Sequence, residues 1–172
     1  MILCDFDRVD ITNLQRQQYK ADQIGMYKTD ALTTNLKEIA PYISIKARTK
    51  RITEENAATL LKDADIICEA FDDAECKAML TNTVLTEMNG KYLIAASGMA
   101  GLYDANLIKT RKITSRFYLC GDEKSDIANE SGLISSLTLR YSKHVQFSLF
   151  LTVQKTVFKK MKTFTLKSLQ AQ

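Results

Sequence analysis

The sequence predicts an α/β fold: a Rossmann-like, mostly parallel sheet with helices on both of its faces. Short apolar runs alternate along the chain with longer segments whose apolar residues recur at helical spacing, which is typical of repeated strand–helix units. Polar or small residues follow three of these runs, at Asp5, Asp72 and Ser97-Gly98. Because parallel strands end at one edge of a sheet, where such folds bind ligands, these residues indicate a nucleotide site.

The predicted strands are short. From apolar or alternating runs we expect strands at 2–5, 43–47, 65–70, 92–96 and 113–119. Residues 6–25 are mostly polar and predict a long loop with short helical turns, in which Gly25 acts as a breaker. A helix is predicted over 26–40, where Leu32, Leu36 and Ile39 recur at helical spacing and Pro41 follows the end.

Two further helices are marked by their ends. Thr53 is the expected N-cap of the second helix, and Asn56 is expected to be a poor substitute for the Glu of a capping box. Asp73 is the expected N-cap of the third helix, predicted over 74–88 and closed by Asn89-Gly90. The residues expected to face the core from these helices are Ala57, Leu60, Leu61, Met79, Leu80, Val84, Leu85 and Met88.

The composition is that of a folded protein. The chain has 172 residues, of which 45% are hydrophobic and 26% charged, enough to build a core. No apolar run is long enough to span a bilayer, and the N-terminus lacks a signal-peptide pattern, so we expect a cytoplasmic protein without a membrane partner.

The four cysteines do not form a C-x-x-C pair, so no zinc site of that spacing is expected. Cys4 and Cys68 lie in apolar runs and are expected to be buried thiols. Cys76, at a helix start, and Cys120, at a strand end, are expected to be inert.

The basic residues are concentrated near the C-terminus. Neither Asp nor Glu occurs after Glu130, whereas seven of the 24 basic residues do, so the rest of the chain is mildly acidic. A basic tail can bind nucleic acid, but no aromatic-interleaved motif accompanies this one, and no nucleic-acid partner is expected. His144, in this tail, is expected to be incidental.

The segment that best indicates function lies near the start. Asp5-Phe6-Asp7 is followed at fixed spacing by Asn13-Leu14 and Arg16-Gln17. A carboxylate at a strand end can bind the ribose hydroxyls of a nucleotide, and an Arg can bind phosphate with two parallel hydrogen bonds. Asp5 alone would also suit a NAD-dependent dehydrogenase, but that class gives no reason for the Asn13-to-Gln17 spacing.

This segment resembles the D-x-D-x-V-x-x-x-N-L-x-R-Q pattern of the ThiF, MoeB and HesA family, which activates ubiquitin-like proteins. The resemblance implies a homodimer that binds ATP, with Asp5 and Asp7 in the ribose region. It implies that Arg16 reaches across the dimer into the partner's nucleotide site. Lys28 would contact the phosphates from the same subunit, and Asn13 would hold the same phosphate region.

Later segments extend the resemblance. Asp72 matches the Asp that binds Mg-ATP in the family, and Asp73 stands where Asn is usual. The chain looks most like the short, zinc-free ThiF branch of the family, and this likeness is carried by residues 69–77, 96–101 and 118–122. The implied reaction is adenylation, catalysed with Arg16, Lys28 and Asp72, of the C-terminal Gly of a ThiS-like sulfur carrier for the thiazole of thiamine.

Two departures from the family pattern are evident. The strand, Gly-rich turn and helix that precede the acidic segment in the family are not found, so we expect a front-truncated adenylation domain over 1–133 with little or no ATP–pyrophosphate exchange. Residues 134–172 form an atypical tail, for which we hypothesise a frameshift or replacement. Alternatives are a MoeB-like, HesA-like or tRNA-modifying enzyme, or a catalytically inactive carrier-binding module.

Overall fold

The computed structural model describes residues 1–15, 17–97 and 108–121. The chain divides into two compact units, Met1–Leu93 and Ile94–Gln172. The predicted tail and Gly98 lie outside the described residues, as does Arg16. None of the described helices is long and apolar enough to cross a bilayer.

Strands and helices alternate through the first unit, which confirms the predicted α/β class. Its elements are β1 (Ile2–Cys4), α1 (Lys28–Ile39), β2 (Lys46–Arg48), α2 (Glu54–Leu60), β3 (Ile66–Cys68) and α3 (Ala74–Glu87). β1 and β2 are parallel, with Ile2 opposite Lys46 and Cys4 opposite Arg48. Because parallel neighbours need a crossover connection, α1 joins them as a strand–helix–strand unit. This unit places the end of β1 beside the start of α1.

The next strand, β4 (Tyr92–Ala96), begins in the first unit and ends in the second. The Tyr92 N–H donates to the Asp65 carbonyl at 2.9 Å, just before β3. In the second unit β4 neighbours β6 (Phe117–Gly121), which pairs antiparallel with β5 (Lys109–Lys112). Ala96 and Cys120 form a small buried cluster there.

The prediction of one strand over 113–119 is wrong, because that segment contains the turn of the β5–β6 hairpin. The Ile113 N–H donates to the Phe117 carbonyl at 2.8 Å and closes the turn. β5 has the sequence Lys-Thr-Arg-Lys, which offers no alternation of apolar residues. Pairing with β6, rather than the local sequence, makes this segment a strand.

The helix α1 buries a more polar face than its sequence suggests. Thr29, Ala31 and Asn35 are its buried residues, whereas Ile39 is 79% exposed. Leu32 and Leu36 are half-buried. The polar face is buried because the loop before α1 packs against it.

A pair of buried amides joins that loop to α1. Gln23 donates through Nε2 to Asn35 Oδ1 at 2.8 Å, and Asn35 donates through Nδ2 to the Gln18 carbonyl at 2.9 Å. The Lys20 N–H donates to Gln23 Oε1 at 3.0 Å. Since buried amides are tolerated only when they are hydrogen-bonded, this network specifies how residues 17–25 lie on the helix.

The helices α2 and α3 pack against each other. The residues predicted to face the core are buried in full (Ala57, Leu60, Leu61, Leu80, Val84 and Met88) or in part (Met79 and Leu85). The prediction for Asn56 is wrong, because its Oδ1 accepts the Thr53 N–H at 3.0 Å. The short amide side chain reaches back because Thr53 is extended, with φ −129° and ψ 168°.

The cysteine predictions hold only in part. Cys120 is buried and Cys4 is half-buried, where burial raises the pKa of the Cys4 thiol. The prediction that Cys68 is buried is wrong, because it is exposed at the end of β3. Alternation along the strand points the preceding residue, Ile67, into the core instead, at 4% exposure.

Replacing Leu80 tests where the core lies. Because Leu80 is buried on α3, Leu80→Ala should lower the free energy of unfolding by about 2–5 kcal/mol. Ile39→Ala is the matched control on an exposed helix face, with an expected change of about 0.5 kcal/mol or less. Urea denaturation followed by circular dichroism measures both, and equal losses would contradict the assignment of these two faces.

Candidate nucleotide site

The first carboxylate of the site continues β1. The Asp5 N–H donates to the Arg48 carbonyl at 3.3 Å and extends the pairing with β2 by one residue. Asp5 Oδ1 accepts the Asp7 N–H at 2.8 Å, which turns the chain sharply at the strand end. Asp5 is therefore fixed as the sequence predicts, at the carboxyl end of a parallel strand.

Lys28 meets this turn from α1, of which it is the first residue. Its Nζ lies 2.8 Å from Asp7 Oδ2, and its N–H donates to the Asp7 carbonyl at 2.9 Å. The Lys28 side chain is 15% exposed, while that of Asp7 is 49% exposed. The structure thus brings together Asp5, Asp7 and Lys28, three residues predicted from the sequence.

Tyr19 belongs to the same electrostatic environment, which the sequence did not indicate. Burial, followed by the Asp5 and Asp7 carboxylates, raises the pKa of Tyr19 to about 12. The direction of this pKa change shows that the Asp5 and Asp7 carboxylates lie close enough to Tyr19 to disfavour its phenolate form. No local spacing links Tyr19 to the two aspartates, so a sequence pattern could not identify it.

A backbone clasp holds the acidic turn against α1. The Val9 N–H donates to the Met26 carbonyl, and the Gly25 N–H donates to the Val9 carbonyl, both at 2.8 Å. Gly25 has φ +86°, which favours glycine.

The Arg8 side chain adds to these backbone contacts. Its guanidinium donates to the Gly25 carbonyl at 2.6 Å and lies 3.8 Å from the centre of the Tyr27 ring. The clasp keeps Asp7 and Lys28 in register.

Asn13 is buried and works within the loop. Its Oδ1 accepts the Asp10 N–H at 2.9 Å, and Asp10 Oδ1 accepts the Thr12 N–H at 2.9 Å, closing a single 3₁₀ turn at Ile11–Asn13. The Thr12 N–H also lowers the pKa of Asp10. Arg16, the other residue predicted for the phosphate region, lies outside the described residues.

Asp72 occupies the turn between β3 and α3, with an exposed side chain. The next residue, Asp73, is the N-cap of α3 and accepts the Cys76 N–H at 2.8 Å, as the sequence predicted. That hydrogen bond lowers the pKa of Asp73. The two adjacent aspartates therefore differ: Asp73 stabilises the helix, and Asp72 presents its carboxylate to solvent.

Glu69 is a site residue that sequence reasoning passed over. It is 1% exposed, and its carboxylate accepts the Phe71 N–H at 2.6 Å and lies 3.0 Å from Lys77 Nζ. The partner could not be chosen from sequence, because Lys77 is separated from Glu69 by a turn and the start of a helix.

An open groove lies next to this turn in the first unit. Its lining residues are Arg51, Ile52, Thr53, Glu54, Glu55, Asp73, Glu75, Cys76 and Met79. The Arg51 guanidinium also lies 5.6 Å from the centre of the ring of Phe6, which is 50% exposed. An exposed aromatic ring between the two aspartates offers a flat apolar surface on which a base can stack.

Asp72 is the predicted metal-binding residue that the structure describes. Among the described residues no group of three or more His, Cys, Asp or Glu could hold a metal ion. Mg²⁺ bound with a nucleotide needs only one or two carboxylates, because phosphate oxygens and water complete its shell. Asp72 offers one such carboxylate.

Known proteins resemble this chain over most of its length. Residues 1–137 match the model of the ThiF family. Molybdopterin-synthase adenylyltransferase of Haemophilus influenzae is 32% identical over 81 residues, which cover 46% of this chain and 33% of that protein. Adenylyltransferase and sulfurtransferase MOCS3 of Caenorhabditis briggsae is 29% identical over 106 residues, covering 61% of this chain and 25% of that protein. The chain thus spans a third or less of these relatives.

Solved structures share the fold. Escherichia coli tRNA N6-threonylcarbamoyladenosine dehydratase TcdA, in complex with ATP, has a TM-score of 0.70 at 18% identity, covering 91% of this chain and 76% of that one. HcgE of Methanothermobacter marburgensis, bound to guanylylpyridinol and ATP, has a TM-score of 0.60 at 15% identity, covering 90% of this chain and 82% of that one.

The cap at Asp73 gives a pH-dependent prediction. Its lowered pKa means that the cap stabilises the fold fully above about pH 4, the ordinary Asp range, and is lost as pH falls through the lowered value. Asp73→Ala should therefore lower the midpoint of thermal unfolding at pH 7, and the difference from wild type should shrink in acid. Asp73→Asn keeps an acceptor and should stay close to wild type at pH 7. A difference that is constant with pH would contradict the cap.

Proposed function

Because the chain belongs to the ThiF family, we propose that it binds Mg-ATP and takes part in adenylating the C-terminal Gly of a ubiquitin-like sulfur carrier. The observation that carries the proposal is the meeting of Asp5, Asp7 and Lys28 at the carboxyl end of β1. Two acceptors and one cation at a strand end suit a ribose and a phosphate. ATP also appears in the description of the TcdA structure, which shares this fold.

Each proposed site residue binds a different part of Mg-ATP. Asp5 accepts hydrogen bonds from the ribose hydroxyls. Lys28 exchanges its contact with the exposed Asp7 carboxylate for one with a phosphate oxygen. Asp72 would hold the Mg²⁺ that accompanies the phosphates, and Arg16, with Asn13, would complete the phosphate site across a homodimer.

The proposed reaction depends on positioning and charge neutralisation. The carrier carboxylate attacks the α-phosphorus of ATP, the bond from the α-phosphorus to the bridging oxygen breaks, and pyrophosphate leaves with the electron pair. Negative charge builds up on the phosphate oxygens during this step, and the Lys28 ammonium offsets it; a Mg²⁺ held by Asp72 would add to this charge neutralisation. No strong general base is needed, because the attacking carboxylate is already ionised at neutral pH.

The carrier we propose is ThiS-like, with sulfur transfer to the thiazole of thiamine as the outcome. This rests on the likeness of residues 69–77, 96–101 and 118–122 to the short ThiF branch. A molybdopterin-type carrier is the second candidate, favoured by the name of the Haemophilus influenzae relative. A non-catalytic module that only docks a carrier is the third.

Lys28→Met tests nucleotide binding. The substitution should weaken Mg-ATP binding roughly tenfold or more, because one charge-assisted hydrogen bond to phosphate is lost. Lys20→Met is the matched control, since Lys20 pairs with Glu38 in an exposed salt bridge with side chains 51% and 55% exposed. Isothermal titration calorimetry measures both affinities. If wild type and Lys28→Met bind Mg-ATP with equal affinity, Lys28 does not contact the nucleotide.

Exchange of labelled pyrophosphate into ATP tests the adenylation step and the carrier. We expect the ThiS-type carrier to bind and the exchange of pyrophosphate into ATP to depend on that carrier. Exchange that depends only on a molybdopterin-type carrier would overturn the thiamine assignment. Carrier binding with no exchange at any ATP concentration would favour the docking module.

A further inference from the structure

Glu69 is a buried charge that binding of a nucleotide would not touch. It follows β3 directly and is 1% exposed. Its two carboxylate oxygens accept hydrogen bonds from Lys77 Nζ at 3.0 and 3.3 Å. The Lys77 side chain is 27% exposed, so the main cost is that of removing the Glu69 carboxylate from water, and an apolar residue of similar volume is often as stable. Stability alone therefore does not explain why the chain has an ion pair between Glu69 and Lys77.

The pair fixes one end of the turn between β3 and α3. Glu69 Oε1 accepts the Phe71 N–H at 2.6 Å, while Lys77 joins the same carboxylate to α3. The other end of the turn is fixed by Asp73, which accepts the Cys76 N–H at 2.8 Å. Asp72 lies between these two anchored positions, and its exposed side chain takes part in neither bond.

We propose that Glu69 is a positioning residue that, together with Lys77, holds the β3–α3 turn so that the Asp72 carboxylate is presented to Mg-ATP. The inference rests on the proposed function and deepens it. Glu69 itself never contacts the nucleotide. Its ionised carboxylate is needed because one group must bind both a backbone N–H and a lysine, which ties the strand end to the helix in one arrangement.

The central variant is Glu69→Gln. Glutamine keeps the volume and an oxygen for the Phe71 N–H but loses the ion pair, so the turn should loosen while the fold persists. We expect the Kd for Mg-ATP to rise by up to about tenfold, the effect of losing the charge-assisted contact made by Asp72. Glu69→Asp, which keeps the charge, should restore part of the affinity. Lys46→Gln is the control, because it breaks an exposed pair with Asp63.

A thermodynamic cycle with Asp72→Asn separates positioning from general stability. If Glu69 acts through Asp72, Glu69→Gln should cost little further affinity once Asp72 is neutral. If the role of Glu69 is merely structural, Glu69→Gln should weaken Mg-ATP binding by the same factor whether residue 72 is Asp or Asn. That result would overturn the proposal. Should Glu69→Gln fail to fold, the double variant Glu69→Gln/Lys77→Met, which leaves no unpaired buried charge, takes its place in the cycle.

The outcomes are distinguishable from a failure of the proposed function. Wild-type chain that does not bind Mg-ATP in calorimetry would overturn the proposed function, and this inference with it. Wild-type chain that binds, beside a folded Glu69→Gln that binds equally well, would overturn the positioning role alone. The positioning role is supported if Glu69→Gln weakens Mg-ATP binding in the wild-type background but has no further effect in the Asp72→Asn background. The control Lys46→Gln should bind Mg-ATP as tightly as wild type.

Discussion

The contact between Lys28 and Asp7 is the constraint on which the site depends. It joins the turn after β1 to the first residue of α1, through both a side-chain ion pair and a backbone hydrogen bond. Because the helix starts there, the direction of α1 and the geometry of the acidic turn are set together. The clasp at Val9 and the amide pair of Gln23 and Asn35 then hold the intervening loop to the same helix.

The same contact makes the site responsive to a ligand. Lys28 is largely buried, whereas the Asp7 carboxylate is half exposed and well solvated. An incoming phosphate can compete for Lys28 at modest cost, since an exposed carboxylate loses little when its partner leaves. Asp5 does not need to move, because its hydrogen bond to the Asp7 backbone is independent of the lysine. A preformed acceptor beside an exchangeable cation is what a nucleotide site requires.

Sequence alone predicted the features that depend on neighbours along the chain. The cap at Asp73, the helix end before Pro41 and the strand at 92–96 follow from local rules. Asp5 and Asp7 were chosen from a spaced motif, and Lys28 was chosen only from the family resemblance. The hairpin strand β5, the exposed Cys68 and the exposed Ile39 depend on what packs from elsewhere. Pairs such as Glu69 with Lys77 lie beyond any helical or strand period, so no pattern could specify them.

The turns after β1 and β3 share the same hydrogen bond, in which a carboxylate accepts a backbone N–H two residues further on. They differ in how exposed the carboxylates are. After β1, Asp5 accepts the N–H two residues on, and after β3, Glu69 does the same at Phe71. Each turn is also held by a lysine, but Lys28 binds an exposed carboxylate and Lys77 a buried one. Since a buried carboxylate is costly to leave unpaired and an exposed one is not, the first turn is suited to receive phosphate. The second turn is suited to keep a fixed geometry, as the proposed role of Asp72 requires.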